Sequence, residues 1–426
     1  MTAVAVTVFV GAYVLIATER VHRVVAALAG AAVMLLLRIV GSEEAFHGVD
    51  TGIDWEVIFL LLGMMVIVAV LRRTGLFEYL AIWSAKRARG RPYRIMVILC
   101  VVTAVTAALV DNVTTVLLVA PVTVLIAERL GTSPVPYLIA EVLASNIGGT
   151  ATLVGDPPNI IIGSRAGLSY TEFLVNLGPI ALLVLIVFLV MARLLFRSDL
   201  VADPRRVAEV MDLDEREAIR DPGLLIRSAA VLVVVTLGFL FHAVLHYDPS
   251  VVALVGAGAL LALSGLRFGE LSRDVEWETL VFFMGLFVMV GALVEVGAID
   301  GLADSAADLT EGRPLLAVMV ILVVSAVLSG IVDNIPYVAA MAPVVAGLSA
   351  DIGGGDVLWW ALALGADLGG NATAVGASAN VVVLGIADRS GYPIRFMDFL
   401  KYGGLVTVMS IAVSAAYLWV RYFLLG

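Results

Sequence analysis

The chain carries the same pattern twice, in two long apolar stretches that lie about 222 residues apart. Asp111-Asn112 lies midway through the first stretch, and Asp333-Asn334 lies midway through the second. Further along, the run Gly-Gly-Thr-Ala-Thr at 148–152 returns as Gly-Gly-Asn-Ala-Thr at 369–373. A duplicated apolar unit with polar residues at matching positions is the layout of a secondary transporter. Any fold for this chain must therefore bury two copies of one polar pattern.

The composition places the chain in a membrane. Hydrophobic residues make up 61% of the chain and charged residues 15%, whereas soluble domains are about half apolar and about a quarter charged. Several apolar stretches reach the ~20 residues that a helix needs to cross a bilayer. We predict an all-α polytopic protein of the cell (inner or plasma) membrane. The single cysteine, Cys100, excludes a disulfide within the chain and a thiolate metal cluster.

We predict ten spanning helices and two helical hairpins. The helices are predicted at 2–17, 21–40, 55–72, 134–163, 175–197, 223–246, 249–266, 276–296, 357–387 and 398–424. The hairpins are predicted at 92–128 and 313–350. Because the segments 134–163 and 357–387 are long and rich in glycine, each is predicted to be broken in its middle.

The distribution of lysine and arginine predicts the orientation. With ten crossings, 22 of the 26 basic residues fall on one side, including those crowded into the loop that follows residue 72. The other side has acidic loops, one of which contains Asp300, Asp304 and Asp308. The basic side is predicted to be cytoplasmic, which puts both termini outside the cytoplasm.

The number of crossings predicts how the two copies are related. Each copy holds five crossings and one hairpin, and an odd number of crossings turns the second copy upside down. The predicted units are a first inverted repeat at 1–197, a cytoplasmic linker at 198–222 and a second inverted repeat at 223–426.

Both hairpin tips are predicted to be buried. The segment around each Asp-Asn pair is too short and too apolar for an aqueous turn, so re-entrant hairpins fit better than pairs of full crossings. A charged side chain at that depth costs about 2.5–3.5 kcal/mol, which indicates that Asp111 and Asp333 bind a cation or carry a proton, facing one shared cavity. Capping of the helix after each tip is the competing explanation. Sodium is a candidate ligand at Asp111/Asn112 and at Asp333/Asn334.

The broken helices are predicted to form the other wall of the site. Unwound carbonyls can coordinate a cation, and the amino termini of half-helices favour an anion. Packing of small residues between helices is the competing explanation for the glycines. The full set of candidate solute- or ion-binding residues is Asp111, Asn112, Thr114, Asn146, Gly148, Gly149, Thr150, Thr152, Asp156, Asn159, Asp333, Asn334, Asp367, Gly369, Gly370, Asn371, Thr373 and Asn380.

These motifs resemble the ion transporter superfamily, in the branch that holds the arsenite efflux pump ArsB and the P protein. The resemblance is most specific at 111–115 (Asp-Asn-Val-Thr-Thr), at 140–159 and at 369–382. It implies a homodimer in which a transport domain moves against a scaffold domain as an elevator. It also implies two ion sites, one at each hairpin tip together with the broken helix of the same repeat.

The predicted function is cation-coupled secondary transport, with a proton or sodium as the coupling ion and no cofactor. Efflux of arsenite, antimonite or a related small inorganic solute is the leading prediction, since arsenite is mostly uncharged at neutral pH. A sodium/proton antiporter, a sodium-coupled carboxylate carrier and an ion channel remain alternatives. An aspartate at each tip, where the dicarboxylate carriers have serine, would repel a dicarboxylate.

The sequence also argues against several other classes of protein. It contains no nucleophile–base pair or histidine-rich metal site, which argues against an enzyme, and it has no nucleotide-binding loop or reason to bind nucleic acid. Association with a separate ATPase subunit stays open.

Overall fold

The computed structural model describes residues 1–18, 20–49, 51–197, 206–207, 211–212, 214–310, 312–352 and 355–425. The protein is about 80% helix, and the described residues contain no β-strand. The all-helical class is therefore confirmed. Part of the predicted linker, at 198–205, 208–210 and 213, lies outside the described residues.

Ten helices form the first half of the chain. They are α1 (Thr2–Ala17), α2 (Arg23–Leu36), α3 (Ser42–His47), α4 (Trp55–Arg73), α5 (Leu76–Arg87), α6 (Pro92–Leu109), α7 (Asn112–Leu130), α8 (Val135–Gly149), α9 (Pro157–Ala166) and α10 (Tyr170–Leu195).

The described residues after Pro222 form another ten helices. They are α11 (Pro222–Leu245), α12 (Pro249–Ser264), α13 (Phe268–Leu271), α14 (Trp277–Glu295), α15 (Ala298–Leu309), α16 (Pro314–Ser329), α17 (Asn334–Ile352), α18 (Val357–Gly369), α19 (Ser378–Arg389) and α20 (Phe396–Trp419), which continues as a π-helical turn at Val420–Leu424.

Seven of the described helices are long and apolar enough to cross a membrane, and an eighth span is possible if the bent pair α15–α16 counts as one. The seven include both arms of the first hairpin, α6 and α7, with 18 and 19 residues. The helical hairpins and the polytopic character agree with the sequence. The ten crossings, the re-entrant path of the hairpins and the inverted relation of the repeats stay predictions.

Four segments that the sequence placed in loops are helices: the short α3 and α13, and the longer α5 and α15. The two longer ones show why. Each follows a glycine in the left-handed region, Gly75 with φ +82° and Gly297 with φ +68°, so a sharp turn separates it from the preceding long helix. In α15, Ile299 and Ala303 are buried, four residues apart on one face. The loop prediction was wrong because charges on the exposed face hid this amphipathic spacing.

Both predicted helix breaks are present. The first break separates the end of α8 at Gly149 from the start of α9 at Pro157, and the second separates α18 from α19. Pro157 has no backbone N–H and stands in the first turn of α9, where that N–H has no partner within the helix, so it favours a helix start at this point.

Each hairpin is fastened to the broken helix of its own half by equivalent hydrogen bonds. Thr152 Oγ1 donates to the Ala108 carbonyl at 2.6 Å, and Thr373 Oγ1 donates to the Gly330 carbonyl at 2.7 Å. The backbone N–H of Asn112 donates to Gly155 at 3.2 Å, and that of Asn334 donates to Gly376 at 3.1 Å. The duplicated sequence therefore produces a duplicated local structure, which holds both hairpin tips against unwound backbone.

Candidate ion and solute site

The asparagines of both hairpin tips meet at one buried carboxylate, Asp156. Asn112, the first residue of α7, donates from Nδ2 to Asp156 Oδ2 at 2.7 Å. Asn334, the first residue of α17, has its Nδ2 at 3.4 Å from both oxygens of Asp156. Asp156 itself precedes α9 at the first helix break and is 1% exposed. One acidic side chain thus joins both hairpins, which come from opposite halves of the sequence.

A second buried side chain, Asn146 in α8, links the two broken helices. Its Nδ2 donates to Asn371 Oδ1 at 2.9 Å and to Asn380 Oδ1 at 3.1 Å. Its Oδ1 accepts a hydrogen bond from Asn112 Nδ2 at 3.2 Å. Five of the predicted polar residues, Asn112, Asn146, Asp156, Asn371 and Asn380, therefore belong to one continuous network with Asn334.

The two tip aspartates cap helices, as the competing explanation proposed. Asp111 accepts a hydrogen bond from the Thr114 backbone N–H at 2.7 Å, and Asp333 accepts one from Ile335 at 3.1 Å. Asp333 has two further partners. The Ser378 hydroxyl donates to it at 2.6 Å, and the Arg23 guanidinium lies 3.7 Å from it.

The tip aspartates line two adjoining cavities. Asp333 lines a cavity of about 820 Å³, and Asp111 lines one of about 30 Å³. Both cavities are bordered by Arg23, Glu276 and Ser378. Because the two cavities adjoin and share these lining residues, the single cavity predicted for both tips stays a prediction.

Three residues of this site were missed by the sequence analysis. Arg23 was counted only among the basic residues of the predicted cytoplasmic side, but its Nη1 donates to Ser378 Oγ at 2.9 Å. Ser378 stands two residues before Asn380, inside a motif that was recognised, so its position was a usable signal. Glu276 precedes Trp277, and nothing in its sequence context distinguishes it from an ordinary helix-end carboxylate.

Glu276 lies just outside the long helix α14 and accepts a hydrogen bond from the Thr279 hydroxyl at 3.1 Å. Burial, together with the negative charge of Asp111, raises the pKa of the Glu276 carboxyl to about 7. The charge of the cavity wall therefore changes near neutral pH.

Other predicted residues position the backbone. A Cβ at Gly148 would collide with the backbone of Ala104. A Cβ at Gly369 would lie 2.6 Å from backbone atoms of Ala326, so both glycines permit close helix packing. Gly149 and Gly370 pack in the same manner against the unwound segments at Gly155 and Gly376.

The predicted threonines and the asparagine at the first break act locally. Thr150 Oγ1 donates to the carbonyl of Asn146 at 2.8 Å. Asn159 Nδ2 donates to the carbonyls of Gly149 and Thr152.

Asp367 is fully buried in α18. Among the described residues, no group of three or more His, Cys, Asp or Glu side chains is arranged to hold a metal ion.

Comparison with known proteins identifies the family. The model of the citrate transporter family matches residues 13–365. The chain belongs to this family. It is therefore a membrane transporter and not an enzyme.

Relatives of this transporter family cover the whole chain. Uncharacterized transporters of Mycobacterium bovis and Mycobacterium tuberculosis are 57% identical to it over all of both chains. The human P protein is 34% identical over 99% of this chain and 60% of its own length, which confirms the resemblance drawn from the motifs. Among solved structures, the YdaH transporter of Alcanivorax borkumensis has the same fold, with a TM-score of 0.63 and 15% identity over 94% of this chain and 97% of that one.

Proposed function

We propose that this protein is a cation-coupled secondary transporter that exports arsenite, antimonite or a related small solute by an elevator mechanism. The observation that carries the proposal is the contact of both hairpin tips with the buried carboxylate of Asp156. A charge at this position acts on both halves of the molecule at once. Binding of a proton or sodium to the acidic network is thereby linked to the arrangement of both hairpins.

Electrostatics explains why a cation would drive the cycle. A buried negative charge is costly to carry across an apolar barrier, and a bound cation removes that cost. In the empty state the charged site resists movement, whereas the loaded, neutral site can cross. The coupling ion and the solute then move as one unit, which is the requirement for a secondary transporter. The tip pairs Asp111/Asn112 and Asp333/Asn334 are the proposed contacts for the ion and solute.

The charges around the larger cavity favour a neutral solute. Among its described lining residues, three carboxyl groups, those of Asp333, Glu276 and Glu278, outnumber the guanidinium of Arg23 and the imidazole of His22. This balance disfavours an anion that brings several negative charges of its own. Uncharged arsenite meets no such repulsion.

A carboxylate cargo is the second candidate, because of one specific observation. Arg23 lies 3.7 Å from Asp333 and offsets the tip charge that would otherwise repel a carboxylate. The description of the family as citrate transporters points to the same class. Sodium/proton exchange and channel activity remain the alternatives.

Counterflow in proteoliposomes tests the function and the cargo together. Liposomes preloaded with unlabelled arsenite, antimonite, citrate or sodium should accumulate the labelled form of the true substrate transiently, as a carrier requires. Protein-free liposomes, and liposomes with the Asp156→Asn protein, are the controls. Transient accumulation of citrate alone would replace arsenite with a carboxylate as cargo, and leakage without counterflow would indicate a channel.

A further inference from the structure

Two asparagines, Asn159 and Asn380, occupy equivalent positions in the two halves and make equivalent hydrogen bonds. Asn159 Nδ2 donates to the carbonyls of Gly149 at 3.3 Å and Thr152 at 3.0 Å. Asn380 Nδ2 donates to the equivalent carbonyls, those of Gly370 and Thr373, both at 2.8 Å. Carbonyl oxygens only accept, so the amide nitrogen must face them in both cases and the orientation of each amide is fixed. Both hydrogens of each amide are used in this way.

The two halves differ in the side chain that meets the amide. In one half, Asn146 donates to Asn380 Oδ1 at 3.1 Å. The repeat places Asp367 at the position equivalent to Asn146, and the side chain of Asp367 lies beside Asn159. A residue with two donor hydrogens is therefore replaced by one that, when charged, can only accept.

The Asp367 carboxylate has the side chains of Asn159 and Thr150 beside it, but the donor hydrogens of both are used elsewhere. It is fully buried, and among the described residues neither of its oxygens has a hydrogen-bond partner, nor has Asn159 Oδ1. The other polar neighbour, Thr150, donates its hydroxyl hydrogen to the Asn146 carbonyl at 2.8 Å. Three unpartnered acceptor oxygens thus belong to two adjacent buried side chains, and that arrangement is unfavourable unless a hydrogen-bond donor or a positive charge joins it.

A second negative charge increases this demand. The carboxylate of Asp156 lies within electrostatic range of Asp367. Asp156 has the amides of Asn112 and Asn334 as donors, whereas Asp367 has none. Neither acid has a lysine or arginine ion-pair partner among the described residues. Neither acid has an acidic counterpart in the other repeat, because Ala377 is equivalent to Asp156 and Asn146 is equivalent to Asp367.

We propose that Asp367 and Asn159, with the hydroxyl oxygen of Thr150, form a binding site for one small monovalent cation, a proton or Na⁺. All of its ligand atoms are hard oxygens, which suit either ion. As a site for a coupling ion in addition to the tip pairs, the proposed site rests on the proposed transport function. It lies where the two repeats meet, apart from the tip aspartates, and the cation there offsets the charge that also acts on Asp156. Asp367→Asn should supply the donor that Asn146 supplies in the other half, and so remove the need for the cation.

Thermal unfolding of the purified, full-length protein in detergent tests the site without relying on transport. The wild-type Tm is expected to rise with Na⁺, relative to choline, at alkaline pH if sodium binds. If a proton binds instead, the Tm in choline falls as pH rises. Asp367→Asn should lose the Na⁺ response, or show a smaller fall of Tm with pH than the wild type, because Glu276 still titrates. The variant should also have the higher Tm when the cation is withheld. Asp367→Glu, which keeps the charge, should retain a response with altered affinity.

The exposed Asp388 supplies the matched control, since Asp388→Asn changes the same chemical group and should respond like the wild type. An unchanged response to Na⁺ and to pH in Asp367→Asn overturns the site. Coupled flux in liposomes that persists in that variant would leave the proposed function standing without this site. Cation binding without any flux would retain the site and overturn the transport proposal.

Discussion

At the scale of single residues, the two hairpin tips look alike in sequence but differ in charge. Asp333 has Arg23 and Ser378 as partners, whereas Asp111 is held by the backbone of its own helix. Because Arg23 also donates to Ser378, one guanidinium joins α2 to the second tip and to the start of α19. The two tips are therefore not interchangeable, although each begins with the same Asp-Asn pair.

Replacing Arg23 tests this asymmetry. In Arg23→Gln, Asp333 loses its nearby positive charge, so the flux of the substrate is expected to fall at least about tenfold, equivalent to ~1.4 kcal/mol. Arg23→Lys should recover part of the rate, because it restores the charge without the planar donor geometry. Initial rates in proteoliposomes measure both. The exposed Arg20→Gln is the control, and wild-type flux in Arg23→Gln would show that the ion pair is dispensable.

Glu276 predicts a dependence of stability on pH. Burial raises the pKa of its carboxyl to about 7 in the folded protein, above the ~4.3 of an unfolded chain. The folded state then binds more protons than the unfolded state between these values, so this group lowers the free energy of unfolding as pH rises through about 7. Scanning calorimetry from acid to neutral pH should show that the melting temperature declines less steeply with pH in Glu276→Gln than in the wild type.

The neighbouring carboxylate of Glu278 is the comparison for that experiment, because 73% of its side chain is exposed. Glu278→Gln should follow the wild-type curve. Identical slopes for Glu276→Gln and the wild type would mean that Glu276 is hydrated in the folded protein.

At the scale of elements, the first arm of each hairpin packs directly on the helix that ends at the break. The approach is close enough that only glycine fits at Gly148 and Gly369. Threonine hydroxyls then fasten the break to the hairpin carbonyls, so each hairpin and its broken helix behave as one packed unit. Movement within such a unit would break hydrogen bonds, whereas movement of the unit as a whole would not.

Gly148→Ala tests this packing. The added methyl would collide with the backbone of α6 at Ala104, and the expected loss of stability is about 1–3 kcal/mol, as for other overpacked cores. The melting temperature of the purified protein measures it. Gly258→Ala, also within a helix but with no heavy atom within 4 Å of the new Cβ, should be neutral or slightly stabilising. Equal melting temperatures for the two variants would contradict the close packing.

The elements were largely predictable, and the contacts between them were not. Runs of apolar residues, glycine pairs and Pro157 are local signals, so the hairpins and both helix breaks could be located. The bond from Asn112 to Asp156 joins positions 44 residues apart, and the approach of Arg23 to Asp333 joins opposite halves. Only the packed fold sets such partners. Arg23 was taken only as an orientation signal, because an arginine at the end of a spanning helix usually is one in membrane proteins.

At the scale of the whole molecule, the duplicated sequence has become two similar units that share a central polar network. The network joins residues of both repeats through Asn146 and Asp156. A single site served by two repeats fits a carrier that must present the same ligands to either side in turn. The proposed elevator motion would need a scaffold held in the membrane by a second copy.

The oligomeric state follows as a prediction. Purified in detergent, the protein should have a protein mass of twice the 44.9 kDa chain, measured by light scattering with the detergent contribution subtracted. If the two copies form a stable dimer, the measured protein mass should not change on dilution through the working range. A mass of one chain at all concentrations would contradict the homodimer.

Uphill transport in proteoliposomes tests the central claim most directly. A pH or sodium gradient is imposed across vesicles that contain equal concentrations of the substrate, identified by counterflow, on both sides. Coupling predicts that the substrate accumulates on one side, that reversing the cation gradient reverses the accumulation, and that the Asp156→Asn protein shows neither effect. Equal concentrations that stay equal under both gradients, while labelled substrate still exchanges, would show transport without cation coupling and contradict the account.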